Sequence, residues 1–363
     1  MNGDASVLQQ AYAGRSVWLS GHTGFKGAWL ASWLLKLGAN VRGFSLEPPT
    51  TPSLFDQIGL ADRLEHEHGD LRDPAAVKRS ILSTRPDFVF HLAAQAIVRT
   101  SFEEPVLTYS TNVMGTLHVL EALRDVEKPC AAVLVTSDKC YENTGSASAY
   151  REEDPLGGRD PYSSSKGCAE IAIASWRRTF FEDGPVRVAS ARAGNCIGGG
   201  DWANDRIVPD CIRALQAGKP VAVRNPAATR PWQHVLDPLS GYLWLGASLT
   251  GRDTASAFNF GPAAESSRTV EQLVKEVLKH WPGSWTDASD PAAPHEARFL
   301  SLDTGKARNL LGWAPIWDFE QAVEATVEWY RAGRDLVELT QRQIERFEDD
   351  AAQAAAPWAV RLR

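Results

Sequence analysis

"SVWLSGHTGFKGAWLASWLLKLG", residues 16–38, is the stretch on which the fold turns. Residues 16–21 are a short apolar run; residues 24–38 place apolar side chains at helical spacing and stop at Gly38. At the changeover stand Gly21, Gly24 and Gly27. The first glycine permits a tight strand-to-helix turn, and the second removes a side chain where the backbone must approach a pyrophosphate. The third lets the helix pack closely on the strand, and the free amides of the new helix then face the phosphates. A glycine triplet is common in turns, but directly after a strand and opening a helix it predicts a dinucleotide. Gly21, His22, Thr23, Gly24, Phe25, Lys26 and Gly27 are therefore expected to line the cofactor.

The same alternation continues outward. Residues 40–45 read as a second strand, 87–94 as a third, 131–137 as a fourth and 186–195 as a fifth, with helices at about 105–126 and 162–181. Near-continuous apolar strands alternating with helices predict an α/β fold, a Rossmann-type doubly wound parallel sheet covered on both faces. Residues 1–190 are assigned to this dinucleotide-binding domain, with segments near 232–262 returning to it ("AFNFGP", 257–262, as a strand). Residues 191–333 are assigned to a smaller, interleaved substrate lobe, and 334–363 to a C-terminal helix ending in a loose tail from 351. Ligands of such sheets sit beyond the carboxyl ends of the strands.

Three segments lie where the cofactor would pass. Asp70 and Leu71 face the adenine, or are a loop acid and its neighbour before a helix; Leu92, Ala93 and Ala94 end a strand where bulk would block the ribose. Asn112 lies inside a helix, where asparagine is a poor former, which marks it for a task. Glu47, 20 positions after Gly27, can accept ribose hydroxyls and repel a 2′-phosphate, favouring NAD over NADP.

"VTSDKCYENTG" (135–145) finishes an apolar strand with Ser137, Asp138 and Lys139 in a row. Strands commonly end in polar residues at the surface. "DPYSSSK" (160–166), however, puts Tyr162 and Lys166 four apart on one helical face. A lysine beside a phenol favours the phenolate, so this tyrosine can take a proton from an alcohol as hydride leaves its carbon. Ser137 can bond the same hydroxyl. Together with the glycine turn, these residues predict a nicotinamide enzyme.

Bulk properties narrow the class. A net charge of −7 and a pI near 5.7 argue against nucleic acid or an anionic membrane as partner. Five cysteines, odd in number and without CxxC spacing, suit reduced thiols rather than disulfides or a metal site. The N-terminal residues lack a signal-peptide pattern and no run is long enough to span a bilayer, so a cytoplasmic location is expected.

The chain resembles the extended branch of the short-chain dehydrogenase/reductase family and, within it, the nucleotide-sugar 4,6-dehydratases. The resemblance rests on "GHTGFKGAWL", "FSLEPPTTPSLF", "HLAAQAIVR", "TSDKCYEN", "DPLGGRDPYSSSK", "ARAGNCIGGGDWANDRIVPD" and "RNPAATRPWQHVLDPLSGY". It implies CDP-glucose or a related nucleotide sugar as substrate, oxidised at carbon 4 by bound NAD. Water is then lost across carbons 5 and 6, and hydride returns to carbon 6. Tyr162, Ser137 and Lys166 would serve the oxidation, and Asp138 would protonate the departing hydroxyl. Better-known relatives carry glutamate as the base where Lys139 stands; Lys139 would be a neutral base, or would stabilise the enolate while another group takes the proton.

Gln95, Asn195, Arg206, Arg224 and Arg230 are the candidate substrate ligands, guanidinium forks matching diphosphate oxygens. Trp232 and His234 either pack under the nucleotide or line the lobe's core. The family's four-helix contact implies a homodimer through the helices at 105–126 and 162–181, with a tetramer open. A sugar epimerase would keep Tyr162 and Lys166 without needing the acid–base row. A non-catalytic NAD-binding regulator would be expected to lose one of that pair.

Overall fold

The computed structural model describes residues 5–145, 148–251, 254–289 and 300–361. Seven strands form one parallel sheet: β1 Ser16–Ser20, β2 Asn40–Ser45, β3 Glu65–His68, β4 Phe88–His91, β5 Cys130–Val135, β6 Val186–Ala193 and β7 Ala257–Phe260. Their order is β7-β6-β5-β4-β1-β2-β3. The chain runs outward from β1 to β3 and then returns to the other side of β1, so the switch point lies between β1 and β4, where Ser20 pairs with His91.

Successive strand residues serve opposite faces. Val17 and Leu19 join one buried cluster and Trp18 the other; Ala131, Val133 and Val135 divide from Ala132 and Leu134 in the same way. Helices cover both faces, which is why the strands read as unbroken apolar runs. One face is covered by α1 (Phe25–Lys36), α4 (Leu236–Leu249), α5 (Phe319–Ala332) and α6 (Leu336–Gln353). The other is covered by α2 (Pro74–Thr84), α3 (Pro161–Phe180) and the helix ending in Gly115–Leu123. That helix runs as Pro105–Tyr109, a wider π turn Ser110–Met114, and Gly115–Leu123.

Two regions differ from expectation. β3 reads "EHEH" and gives no apolar signal because it is an edge strand. Its register is reinforced by charge: Arg42 of β2 pairs with Glu65 directly opposite and reaches Glu67 at 3.4 Å. The second difference is the expected loose tail, which is packed. Trp358 is 1% exposed, its ring 5.9 Å from both Trp33 and Phe347. The amides of Val7 and Leu8 donate to the carbonyls of Val360 and Trp358, tying the two chain ends together. The alanine-rich composition hid this; one tryptophan supplies the anchor.

Candidate active site

The glycine turn has the predicted geometry. Gly21 has φ +80°, and a Cβ there would stand 2.6 Å from the Ala93 nitrogen. A Cβ at Gly27 would stand 2.0 Å from the Gly21 carbonyl oxygen, so α1 packs on the turn as only glycine allows. Above Gly24 the space is open, the nearest atom to a Cβ being Gly21 O at 3.4 Å, and no side chain caps α1. A dinucleotide pyrophosphate fits this cradle, held by the amides of the first turn. Leu92, Ala93 and Ala94 border it half-buried; Leu92 N donates to Ser20 O and Ala93 N to Ser20 Oγ.

Side chains expected to touch the cofactor divide. His22 is fully buried, its Nε2 2.7 Å from His66 Nδ1 and its ring against Phe55, so it packs beneath the turn. Thr23 ties the turn to the end of β2 through Ser45 Oγ at 2.7 Å and Leu46 O at 3.0 Å. Phe25 is half-buried beside Gly198. Leu71 is a core residue packed on Gly115. Asp70 accepts two bonds from Arg72 Nε, at 2.9 and 3.0 Å, and that guanidinium holds its carboxyl below the usual range. Glu47 is exposed at the end of β2, 3.8 Å from His68 Nε2.

Asn112 is 2% exposed, and both ends of its amide bond within the protein. Oδ1 accepts from Gln95 N at 2.8 Å, and Nδ2 donates to Gln95 O at 3.0 Å and Ser165 Oγ at 2.9 Å. It clamps the segment after β4 to α3. The asparagine thus helps to hold the helix that carries Tyr162 and Lys166. Gln95 is committed likewise, Nε2 to Thr108 and Oε1 to the Ile97 amide.

The row after β5 meets α3. Ser137 is extended, and its hydroxyl donates to Asp138 Oδ1 at 2.9 Å and accepts from Lys139 N at 3.2 Å, starting a short turn over Asp138–Cys140. Asp160 caps α3 by accepting from Ser163 N, and Pro161 occupies the first turn. Gly167 lets the helix press on that turn, since a Cβ there would lie 3.2 Å from Cys140 O. Ser137, Asp138 and Lys166 are each 6% exposed and Tyr162 8%; Lys139 is half-buried.

Burial governs their protonation. Desolvation pushes the Asp138 carboxyl up, against the charge of Lys139, the Ser137 hydrogen bond and the charge of Lys26. Burial takes Lys166 from 10.5 to about 8, helped by the neighbouring charge of Lys26 and opposed by Glu170. The Tyr162 phenol is raised, contrary to the simple expectation, because desolvation outweighs the Ser137 hydrogen bond and the charges of Lys26 and Arg206, while Asp138 adds to the rise.

The structure brings Arg206 to this group; it pairs with Asp201 at 2.9 Å and faces Tyr162 and Cys196. Asn195 is half-buried at the exit of β6. Arg224 is exposed and pairs with Asp205 at 2.9 Å, while Arg230 donates to Thr229 O at 2.9 Å. Trp232 and His234 resolve as lobe core: Trp232 is 5% exposed, its indole donating to Arg268 O. His234 is fully buried between Trp29 and Trp317, its imidazole lowered to about 3 by burial. Sequence reasoning missed Cys196 and Tyr242, whose charges bear on Lys26 together with that of Tyr162; long-range convergence leaves no local pattern. No helix among the described residues is long and apolar enough to cross a membrane.

Comparison with known proteins places this geometry in context. The family model described as GDP-mannose 4,6 dehydratase matches residues 19–326. The CDP-glucose 4,6-dehydratase of Salmonella typhimurium is 45% identical, the match covering 93% of this chain and 97% of that one. Among solved structures, the UDP-glucose 4-epimerase of Thermotoga maritima superposes with a TM-score of 0.77 at 23% identity, covering 87% of this chain and 99% of that one. The dTDP-glucose 4,6-dehydratase of Streptomyces venezuelae, solved with NAD bound, gives 0.74 at 24%, covering 89% and 99%.

Proposed function

This chain belongs to the GDP-mannose 4,6-dehydratase family, and from that premise we propose that it is an NAD-dependent nucleotide-sugar 4,6-dehydratase whose substrate is CDP-glucose. The observation that carries the reading is the row at the end of β5: a buried carboxyl raised by desolvation beside a lysine, both next to the Ser137–Tyr162 pair. An oxidoreductase alone needs the serine and tyrosine; a raised acid beside an amine suits elimination of water.

The residues then divide the work. Tyr162 takes the proton of the carbon 4 hydroxyl while Ser137 holds that oxygen, and Lys166 lies on the same helix face. Asp138 gives a proton to the departing carbon 6 hydroxyl. Lys139, as the neutral amine, takes the proton from carbon 5, made acidic by the adjacent ketone, and becomes the ammonium. NAD, when bound along Gly21–Gly27, Asp70 and Leu92–Ala94, supplies the hydride acceptor and later donor. The exposed Glu47 carboxylate favours it over NADP. Arg206 and Asn195 meet the diphosphate side of the substrate, with Arg224 and Arg230 farther out.

The exposed apolar residues Phe102, Val106, Tyr109, Met114 and Ile171 lie on the helices between residues 98 and 114 and on α3. Their exposure supports a homodimer that would bury them against a second copy. The enzyme works in the cytoplasm. Incubation with CDP-glucose and NAD is expected to give the alkali-induced absorbance of a 4-keto-6-deoxy sugar. Unchanged CDP-glucose beside turnover of another nucleotide sugar would replace the substrate, and a 4-epimer product would replace the reaction.

A further inference from the structure

At the switch point of the sheet, Ser20 at the end of β1 and His91 at the end of β4 stand side by side, Ser20 Oγ 2.7 Å from His91 Nδ1. The other ring nitrogen, Nε2, lies 3.1 Å from Thr116 Oγ1 in the helix Gly115–Leu123. All three residues are buried. Their neighbours fix where the ring proton sits. Thr116 gives its hydroxyl hydrogen to Asn112 O at 2.7 Å, so towards His91 it can only accept, and Nε2 carries the proton. Nδ1 then accepts from the Ser20 hydroxyl, whose oxygen in turn accepts from Ala93 N at 3.2 Å. Burial, and after it the charge of Lys166, takes the imidazole from 6.5 down to about 3, so the ring is neutral, as this pattern needs.

The bonds on either side keep this direction. Asn112 Nδ2 donates to Ser165 Oγ at 2.9 Å, and Ser165 Oγ to the carbonyl of Tyr162 at 2.7 Å. Ala93, the first donor, is the residue pressed on Gly21, where a Cβ would stand 2.6 Å from its nitrogen. Donors therefore run one way, from the floor of the glycine cradle through His91 to the backbone of Tyr162, and bonds aligned in this manner strengthen one another. We propose that His91 is a positioning residue for hydride transfer: held as the Nε2–H tautomer, it ties the cradle that seats the nicotinamide cofactor to the helix that carries Tyr162. The inference rests on the oxidoreductive step of the proposed function and not on the identity of the sugar. Such a tie acts on the spacing between cofactor and phenol, so cutting it slows the transfer without weakening substrate capture.

Histidine labelled with nitrogen-15 reports the tautomer by NMR in the whole protein. The His91 ring is the signal pair lost in His91→Gln or displaced in Thr116→Val. At pH 7 it is expected to show a protonated Nε2 and a hydrogen-bonded, unprotonated Nδ1; a charged ring or the opposite tautomer would overturn the proposal. The second arm follows reduction of NAD in a single turnover with CDP-glucose, or with the nucleotide sugar turned over in its place. Ser20→Ala and Thr116→Val should each lower that rate about tenfold, with half-saturation by substrate held within about twofold. The double variant should be no slower than the slower single one, since both cuts sever the same chain. Rates that multiply, or single variants that move half-saturation and leave the transfer rate unchanged, would mean separate packing defects and overturn the proposal. Where Thr116→Val does not fold, Thr116→Ala takes its place. Cuts that fail to multiply with a sugar other than CDP-glucose would sustain the proposal and replace only the substrate.

Discussion

Two buried charge clusters lie along one face of α3, and they follow opposite rules. At Glu170 both carboxylate oxygens have partners, with only Arg192 Nε left over among the described residues: Oε1 accepts from Thr136 Oγ1 at 2.5 Å, and Oε2 from Ser190 Oγ at 2.8 Å and Arg192 Nη2 at 2.7 Å. Arg192 in turn donates to the Tyr141 hydroxyl, which donates to Asn259. One turn earlier, at Lys166 and Tyr162, the balance is missing. Lys166 is depressed, and Asp138 and Tyr162 are raised. Both clusters are equally dry, so burial alone does not separate them. Pairing does: a satisfied buried pair fixes the strand end, and an unsatisfied group is left available to a ligand.

Four substitutions or conditions test that contrast. Tyr162→Phe should lose up to about 10⁴-fold in turnover while unfolding normally in denaturant; activity near wild type would mean that the unbalanced cluster is only structural. Arg192→Met should do the reverse, costing about 3–5 kcal/mol in denaturant unfolding because Glu170 is left charged and alone, with turnover per folded molecule retained. Asp138→Asn should lower product formation about 10²-fold and leave hydride transfer observable by nicotinamide absorbance. It should not reduce stability, since the raised carboxyl opposes folding as pH climbs above its unfolded value.

The smallest effect is on pH. With Lys166 taken down to about 8, activity that needs its ammonium should fall on the alkaline side near that value. Its contribution to stability should rise between about 8 and 10.5, because the unfolded chain still holds a proton that the folded one has released. An alkaline limb that persists in the residual activity of Lys166→Met would assign it to another group.

The readable parts of the molecule are those where one segment carries its own reason. Gly21 and Gly27 need nothing beyond a strand, a turn and a helix, and Tyr162 and Lys166 need only helical spacing. β1, β2 and β4 to β6 are legible because both sheet faces are covered, whereas β3 depends on Arg42 of its neighbour. Side-chain direction was not legible. His22, Leu71, Trp232 and His234 stand in motif segments but turn into the core, and Asn112 spends its amide on Gln95 and Ser165.

Sequence alone therefore determined the sheet except for β3, the glycine turn, and the placing of Tyr162 with Lys166 on one helix face and of Ser137–Lys139 at a strand end, since local spacing and apolar pattern carry all of these. Only the tertiary structure decided which charges meet. Lys26 on α1 and Arg206 beyond β6 lie far apart in the chain, and both act on Tyr162 through Coulomb forces, which depend on distance in space and not on separation along the sequence.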